Sequence, residues 1–221
     1  MSTLLLAERQ SVAAFAKRLV PDGLAVGTSG NLSARRDDRL AITPRGVGYD
    51  DLDPDFVCVV SRSGEPVVAP LAPSTELPLH LAVYAATGSR AVVHTHSPYA
   101  TVLATVVDQL PAVHYLVATL GGPVQVTGYA TPGSAELAAS VAAALDGRSA
   151  ALLGNHGAVT IGDTLEEAYG RAILLEWLCA LYYRARLLGE PRLVDPAELG
   201  KVGALLEHYL QRPAPGTPPL R

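Results

Sequence analysis

Short apolar runs along the chain predict β-strands, and longer segments between them carry apolar residues at helical spacing. The strand-like runs are aliphatic or β-branched and are bounded by residues that favour turns. They lie at 40–46, 56–60, 90–93 and 150–153. Because strand and helix patterns are interspersed along the whole sequence, the chain is predicted to adopt an α/β fold.

The helical patterns are bounded by recognisable caps. Thr164 and Glu167 form a capping-box pattern that opens the longest helix, which is predicted to end near Leu188, just before Gly189. The helix that begins at Ser74 or Thr75 tolerates a proline in its first turn. The remaining helices are predicted at 1–20, 132–145 and 197–209.

Residues 99–120 form the most apolar long stretch, but they do not have the pattern of a membrane span. Asp108, Pro111 and His114 interrupt the stretch, and its β-branched runs are short. We therefore expect strand and loop within the core, and no association with a membrane. The amphipathic segment 1–20 lacks the pattern of a signal peptide, so a cytoplasmic location is expected.

Composition narrows the classes of function. With 221 residues and a high apolar content, the chain is expected to form one domain over 1–221, with a mobile tail at 213–221. The formal net charge of −4 and the scattered basic residues argue against a nucleic-acid partner. Cys58 and Cys179 lack the spacing of metal ligands and are predicted to be reduced, buried thiols.

The sequence His94-Thr95-His96 follows a predicted strand and is the strongest chemical signal in the chain. Residues two apart on a strand lie on the same face, so both imidazoles can bind one metal ion. His156 follows the strand at 150–153 and offers a third imidazole. The other histidines lack such a partner, and His80 and His208 are expected to be structural or exposed to solvent.

Three pairs of small or basic residues could hold a phosphate group, namely Gly30-Asn31, Arg45-Gly46 and Ser74-Thr75. Glycine exposes backbone N–H groups, and a helix N-terminus adds free amides and a positive dipole. Each pair on its own is equally explained as a turn or a helix cap. Glu76 is an ordinary first-turn carboxylate or, beside a metal ion, a ligand or general base.

Six motifs in this order resemble the class II aldolase and adducin amino-terminal family, and most of all the aldolases in it that cleave L-fuculose 1-phosphate. The resemblance covers about residues 4–188. The motifs are GTSGNLS at 27–33, ITPRG at 42–46, PSTE at 73–76, VHTH at 93–96, PAVHY at 111–115 and NHG at 155–157.

The resemblance implies a three-layer α/β fold with a central, mostly antiparallel sheet flanked by helices. It further implies a C4 homotetramer with one Zn²⁺ per subunit near a subunit interface. By the same resemblance, Tyr115 enters the site of a neighbouring subunit and Glu76 is the catalytic acid/base. The implied metal ligands are Glu76, His94, His96 and His156, and the implied phosphate-binding residues are Gly30, Asn31, Arg45, Gly46, Ser74 and Thr75.

The reaction implied by the resemblance is reversible cleavage of a ketose 1-phosphate to dihydroxyacetone phosphate and a short aldehyde such as L-lactaldehyde. Zinc would polarise the ketose carbonyl, Glu76 would transfer a proton at the dihydroxyacetone phosphate fragment, and Tyr115 would exchange one with the aldehyde oxygen. Arg45 stands where many relatives have Ser or Thr, and it either contacts phosphate or points outward. Pro132 stands where the resembled aldolases have an aromatic residue. The carboxy-terminal tail matches poorly, so no role is assigned to Tyr209. The identity of the aldehyde product therefore stays open.

Other activities on the same fold remain open. An L-ribulose-5-phosphate 4-epimerase would use the same metal site, although the motif at 111–115 favours an aldolase. A methylthioribulose phosphate dehydratase shares the ligands and has no further support. A non-enzymatic adducin-like interaction module need not keep a metal set, so the intact His and Glu residues argue against it.

Overall fold

The computed structural model describes the backbone of residues 2–210 and the side chains as far as Leu206. The predicted tail at 213–221 and the side chains of His208 and Tyr209 therefore lie outside the described part. Within the described residues, no helix combines the length and apolar character needed to cross a bilayer.

Nine strands form one sheet with the order β4-β3-β2-β1-β5-β9-β8-β7-β6. All neighbouring pairs are antiparallel except β7 and β8, which run parallel. The strands are β1 Asn31–Arg36, β2 Arg39–Ile42, β3 Cys58–Ser61, β4 Pro66–Val68, β5 Ala91–Thr95, β6 Gln109–Leu110, β7 Val124–Thr127, β8 Ala150–Leu153 and β9 Gly157–Gly162.

Six α-helices and two 3₁₀ helices accompany the sheet in the described chain. The α-helices are α1 Leu6–Ala16, α2 Leu77–Ala86, α3 Pro98–Leu103, α4 Ala135–Ala144, α5 Leu165–Leu188 and α6 Pro196–Leu210. The 3₁₀ helices are Pro54–Phe56 and Tyr115–Leu120.

The helices cover both faces of the sheet, which confirms the three-layer α/β arrangement with a mostly antiparallel sheet. Val92 packs in a core with α2 and α4, whereas its neighbour Val93 packs in a core with α1 and the first turns of α5. Adjacent residues of β5 thus face opposite layers, as the pleat of a strand requires. The sheet is buried from both sides where β5 ends.

The caps of α5 agree with the prediction. The Thr164 side chain accepts a hydrogen bond from the backbone N–H of Glu167, and the helix ends at Leu188 before Gly189. The Glu167 carboxylate accepts from the backbone N–H of Asp163, one residue before the cap. Cys58 and Cys179 are buried and unpaired with each other, also as predicted.

Two sequence predictions are wrong, one for residues 99–120 and one for the start of α2. Residues 99–120 were expected to form strand and loop, but they contain α3, the two-residue strand β6 and the 3₁₀ helix Tyr115–Leu120. Glu176 of α5 explains the start of α3, because its carboxylate accepts hydrogen bonds from the backbone N–H groups of Tyr99 and Ala100. This long-range cap satisfies amides that the local sequence leaves without a partner.

Helix α2 begins later than the prediction of Ser74 or Thr75. Glu76 is its N-cap and Leu77 its first residue. The preceding residues are held in a turn, where the Ser74 N–H donates to the Thr43 carbonyl and the Ser74 hydroxyl accepts from the Glu76 N–H. These contacts take Ser74 and Thr75 out of the helix and leave them lining a cleft.

Candidate metal centre and adjoining cleft

His94 is fully buried in β5, and its backbone neighbours fix which nitrogen faces the site. Its Nδ1 lies 2.9 Å from the carbonyl oxygen of Ala158. Because a carbonyl only accepts, Nδ1 carries the proton and Nε2 keeps its lone pair. That Nε2 lies 3.0 Å from Nε2 of His96, which comes just after the end of the same strand.

His156 reaches the same point from the hairpin that joins β8 to β9. Asn155 in the turn has φ +54°, a left-handed conformation that Asn tolerates better than most residues. Gly157 begins β9 where a Cβ atom would lie 2.1 Å from the Thr95 carbonyl oxygen. A glycine at 157 therefore allows this hairpin to pack against the end of β5.

The three imidazoles are arranged almost symmetrically. Each pair of ring centroids is 4.9 Å apart, with interplanar angles between 72° and 90°. The Glu76 carboxylate closes the group, with Oε2 3.0 Å from Nε2 of His94 and Oε1 3.5 Å from Nε2 of His156. One ligand atom from each of the four residues lies within 4.8 Å of the others.

These four residues fit a divalent cation. Glu76 Oε1 and His156 Nδ1 are buried and have no hydrogen-bond partner among the described residues. A buried acceptor without a donor is costly, and a cation at the centre of the group would give the Glu76 oxygen a partner. Three imidazoles and a carboxylate are a donor set that suits zinc and neighbouring transition metals.

The surroundings keep the candidate ligands in the protonation states that bind metal. Burial, together with the nearby His94 and His156, lowers the pKa of His96 to about 4. The pKa of His156 is lowered by burial and by His94. Burial raises the pKa of Glu76, but the interactions with His94, Asn31 and His156 outweigh it and hold this pKa well below its usual range. At neutral pH, His96 and His156 are neutral and Glu76 is a carboxylate.

A cleft of about 380 Å³ opens beside the four residues. All six residues predicted to bind phosphate line it, together with Glu76, His96 and His156. The structure adds four lining residues that the sequence analysis did not single out as phosphate contacts. These are Thr28, Ser29, Pro44 and Pro132.

The loop at 27–30 forms one wall of this cleft and is shaped by two contacts. Gly30 has φ +84°, and a Cβ atom on it would lie 2.8 Å from the His94 carbonyl oxygen. The buried hydroxyl of Tyr49 lies 2.6 Å from the carbonyl oxygen of Gly30, 2.9 Å from that of Ser29 and 3.2 Å from that of Thr28. The Tyr49 hydroxyl thus contacts all three carbonyl oxygens. No motif in the sequence indicated this role for Tyr49.

Tyr115 does not line the cleft of its own chain. It begins the 3₁₀ helix Tyr115–Leu120, its side chain is 45 % exposed, and its ring lies 4.5 Å from that of His114. The His114 ring in turn meets the edge of Trp177, which is also half exposed. The described chain alone therefore brings together every predicted site residue except Tyr115.

His80 was expected to be structural or exposed, and the structure places it fully buried beneath the cleft. Its ring bridges Asn31 and Ser33, which share one face of β1. The sequence contained a signal for this contact, because His80 lies four residues after Glu76 and so on the same helix face. Asn31 and Ser33 are two residues apart on a strand and so lie on one face of it, which was the corresponding signal for the two partners of His80.

Comparison with known proteins gives a consistent result. The family described as "Class II Aldolase and Adducin N-terminal domain" matches residues 10–183. A 5-deoxy-D-ribulose 1-phosphate aldolase of Bacillus thuringiensis serovar kurstaki is 35% identical, over 95% of this chain and 100% of the relative. A 5-methylthioribulose-1-phosphate/5-deoxyribulose-1-phosphate aldolase of Rhodospirillum rubrum is 38% identical, over 90% and 92%.

Aldolases named for fuculose are also similar. An L-fuculose phosphate aldolase of Escherichia coli strain K12 is 36% identical, over 76% of this chain and 79% of the relative. The solved structure of an L-fuculose 1-phosphate aldolase superposes with a TM-score of 0.89 at 33% identity, over 94% of this chain and 98% of that one.

Proposed function

The chain belongs to the class II aldolase and adducin N-terminal family, and from that premise we propose that it is a metal-dependent aldolase for deoxyketose 1-phosphates. The products are dihydroxyacetone phosphate and a short aldehyde. The proposal is carried by one observation: Glu76 and three histidines form a group beside a cleft. Loops of small residues line that cleft.

His94, His96 and His156, with Glu76, are the residues that hold the cation, and we propose one Zn²⁺ per subunit. When bound, the cation supplies Lewis-acid polarisation of the ketose carbonyl and compensates the negative charge that develops as the carbon–carbon bond breaks. The contact of His94 with the Ala158 carbonyl orients the first of these ligands.

The loops opposite the metal ligands bind the phosphate group. Gly30 and Gly46 offer backbone N–H groups, and Ser74 and Thr75 offer hydroxyls just before the N-terminus of α2. Arg45 is exposed at the mouth of the cleft and adds a positive charge. Binding the phosphate here positions the reacting carbons beside Glu76.

Glu76 acts on the carbon that becomes part of dihydroxyacetone phosphate. In the cleavage direction, the hydroxyl at C4 loses its proton, the C3–C4 bond breaks, and its electron pair stays with C3. In the direction of synthesis, the Glu76 carboxylate removes a proton from C3, and Tyr115 of a neighbouring subunit donates its hydroxyl proton to the aldehyde oxygen. The low pKa of Glu76 keeps it ionised and able to accept that proton at neutral pH. Cleavage is the reverse: Glu76 first takes up a proton from solvent and Tyr115 releases its own to solvent, after which the C4 hydroxyl proton passes to the Tyr115 oxygen and Glu76 protonates C3.

The relatives narrow the proposed substrate. Two relatives that match by sequence over 90% or more of both chains are named for 5-deoxyribulose 1-phosphate, and one of them also for 5-methylthioribulose 1-phosphate. Cleavage of these sugars between C3 and C4 leaves acetaldehyde or its methylthio derivative. We therefore favour a 5-deoxypentulose 1-phosphate. L-Fuculose 1-phosphate, which would give L-lactaldehyde, is the second candidate because of the likeness to fuculose aldolases.

The deciding experiment compares four substrates with metal-stripped protein that has been reloaded with Zn²⁺. Release of dihydroxyacetone phosphate is followed through a coupled NADH assay for 5-deoxy-D-ribulose 1-phosphate, 5-methylthioribulose 1-phosphate, L-fuculose 1-phosphate and L-ribulose 5-phosphate. Chelator-sensitive release from a 5-deoxypentulose 1-phosphate supports the proposal. Conversion of the 5-phosphate to its epimer, without release from any 1-phosphate, identifies an epimerase instead. Tight metal binding with neither reaction overturns both activities.

Replacement of Glu76 tests the proton transfer. Glu76→Gln keeps the shape of the side chain but cannot accept a proton from carbon, so kcat should fall by about 10²-fold or more. Glu65→Gln is the matched control, because Glu65 is exposed and lies outside the cleft. Steady-state kinetics on the zinc-loaded variants measures both. Unchanged turnover in Glu76→Gln would exclude Glu76 as the acid/base.

A further inference from the structure

A buried chain of hydrogen bonds runs from Glu76 away from the cleft. The Asn31 amide nitrogen lies 2.9 Å from Glu76 Oε2, and the Asn31 amide oxygen lies 2.6 Å from Nε2 of His80. Nδ1 of His80 lies 2.6 Å from the Ser33 hydroxyl, which is 2.8 Å from the Tyr84 hydroxyl. His80 and Ser33 are fully buried, and Asn31, Glu76 and Tyr84 nearly so.

The charge on Glu76 sets the direction of each hydrogen bond from Glu76 to Ser33. A carboxylate only accepts, so the Asn31 amide presents N–H to Glu76 and its oxygen to His80. Nε2 of His80 must then carry the ring proton and donate it to that oxygen. Nδ1 is left as an acceptor for the Ser33 hydroxyl. The Tyr84 hydroxyl can donate its one proton to the Ser33 hydroxyl or to the Ser33 carbonyl oxygen, which lies 3.0 Å away. All hydrogen bonds from Glu76 to Ser33 are satisfied in this arrangement.

We infer that His80 is a positioning residue that holds the Asn31 amide with its N–H toward Glu76. The inference rests on the proposed function, since it concerns the orientation of the residue that transfers the proton. His80 itself does not line the cleft. It acts on the reaction through Asn31, which lies both against Glu76 and at the wall of the cleft.

The alternative orientation of the amide shows why the bond matters. With the Asn31 amide turned over, its oxygen would face the Glu76 carboxylate and two acceptors would be in contact. Glu76 would be displaced from its position beside His94, and the cleft would lose an N–H donor. Turning the amide over would also require the His80 proton to move from Nε2 to Nδ1 and the Ser33 hydroxyl to reverse, so His80 favours the observed orientation. A neutral side chain without a donor at that point would allow both orientations.

Two amide substitutions of His80 separate its two bonds. His80→Gln can place an N–H near the position of Nε2 and so keep the bond to Asn31. His80→Asn reaches only the position of Nδ1 and keeps the contact with Ser33. We expect His80→Gln to retain kcat within about 5-fold and His80→Asn to lose about 10- to 100-fold, with KM changed less than kcat. Equal kinetics in the two variants would overturn the inference.

A double-mutant cycle with Asn31 distinguishes positioning from a general loss of packing. If His80 acts through Asn31, then His80→Asn in an Asn31→Ala background should produce little further loss of kcat. Two independent losses that multiply would contradict the inference. Ser33→Ala provides a milder variant, expected to lose a few-fold because it removes the donor to Nδ1. Ser89→Ala is its control, because Ser89 is also a buried serine but takes no part in this series of hydrogen bonds.

Metal affinity supplies a readout that does not depend on turnover. Competition between the protein and a chelator for Co²⁺ should show affinity weakened about 10-fold in His80→Asn and little changed in His80→Gln, because Glu76 is a candidate ligand. If the wild-type protein binds the metal but cleaves no ketose phosphate, this difference still supports the role of His80 while the aldolase proposal fails. Equal affinities together with equal kinetics reject the role of His80 alone.

Discussion

Individual protons in this site are placed by contacts that each involve one or two residues. The Ala158 carbonyl orients the ring of His94, and the Asn31 amide orients that of His80. The ring of His80 is fully buried, and burial lowers its pKa, so its neutral form is favoured. At the residue scale, the fold therefore prepares acceptor nitrogens and a carboxylate before any ligand arrives.

The burial of His80 has a consequence for stability in acid. Burial, together with the nearby His94, lowers the pKa of His80 from its ordinary value of 6.5 to about 3. Between these values the unfolded chain binds a proton that the folded chain refuses, so the free energy of unfolding falls as pH falls below 6.5. From pH 7 to pH 5 this one group accounts for about 2 kcal/mol.

Urea unfolding in the presence of a chelator, at pH 7 and at pH 5, measures this effect. His80→Gln has no group that titrates at this position, so it should lose about 2 kcal/mol less than the wild-type chain over the same interval. The other buried histidines titrate in both proteins and cancel in the comparison. If both proteins lost the same free energy of unfolding between pH 7 and pH 5, His80 would have to bind a proton in the folded chain at pH 5.

Arg45 offers a second test at the residue scale. It is exposed at the cleft and makes no side-chain hydrogen bond within the described chain, so its guanidinium is free to contact a phosphate. Arg45→Ala should raise KM for a ketose 1-phosphate about 10-fold and leave kcat nearly unchanged, as expected for uniform binding. Arg62→Ala removes an exposed arginine outside the cleft and should change neither constant. An unchanged KM in Arg45→Ala would mean that its side chain points away from the phosphate.

At the scale of elements, loops rather than helices or strands shape the part of the cleft where we propose that phosphate binds. The loop at 27–30 is held by the Tyr49 hydroxyl, and Ser74 holds the turn before α2. Burial and the charge of Glu76 raise the pKa of Tyr49 above its ordinary value, so its hydroxyl remains a donor. The Tyr49 hydroxyl is therefore a fixed hydrogen-bond donor to the loop from a residue that does not line the cleft.

Removal of that hydroxyl should loosen the loop. Tyr49→Phe leaves the Gly30 carbonyl without its donor and should reduce the free energy of unfolding by about 1 to 2 kcal/mol. Because the loop is proposed to bind phosphate, KM should also rise several-fold. Tyr129→Phe is the matched control, since Tyr129 is mostly exposed and does not line the cleft. Chemical denaturation and steady-state kinetics measure the two effects, and a stability loss without a KM change would separate the loop from phosphate binding.

At the scale of the whole molecule, the order of strands brings the site together. β5 lies between β1 and β9, and the register places Asn31 directly opposite His94 on one side and Val159 on the other. The start of α2 then delivers Glu76 to the same end of β5. Residues from four separate parts of the chain meet because these strands are neighbours.

Tyr115 carries a prediction about assembly. Since it does not line the cleft of its own chain, we expect a neighbouring copy in a C4 tetramer to supply it. Tyr115→Phe and Glu76→Gln should each be nearly inactive, whereas dissociated and reassembled mixtures should regain up to about a quarter of wild-type activity if two subunits share each site. Mixtures that regain nothing, although sedimentation shows mixed oligomers, would remove Tyr115 from the reaction.

Local patterns in the sequence were sufficient for much of this protein. The His94-Thr95-His96 pair, the turns that line the cleft and the caps of α5 depend on residues close together in the chain, where spacing and side-chain chemistry determine the geometry. The α/β class followed from the interspersed strand and helix patterns in the same way.

The tertiary structure decided what depends on contacts between distant segments. Residues 99–120 became partly helical because Glu176, far along the chain, caps α3. His80 acquired its place beneath the cleft only when α2 packed against β1, and Tyr49 reached the loop at 27–30 in the same manner. A buried polar group must find a partner wherever the fold provides one. The sequence by itself therefore determined the candidate ligands, whereas packing decided how they are held.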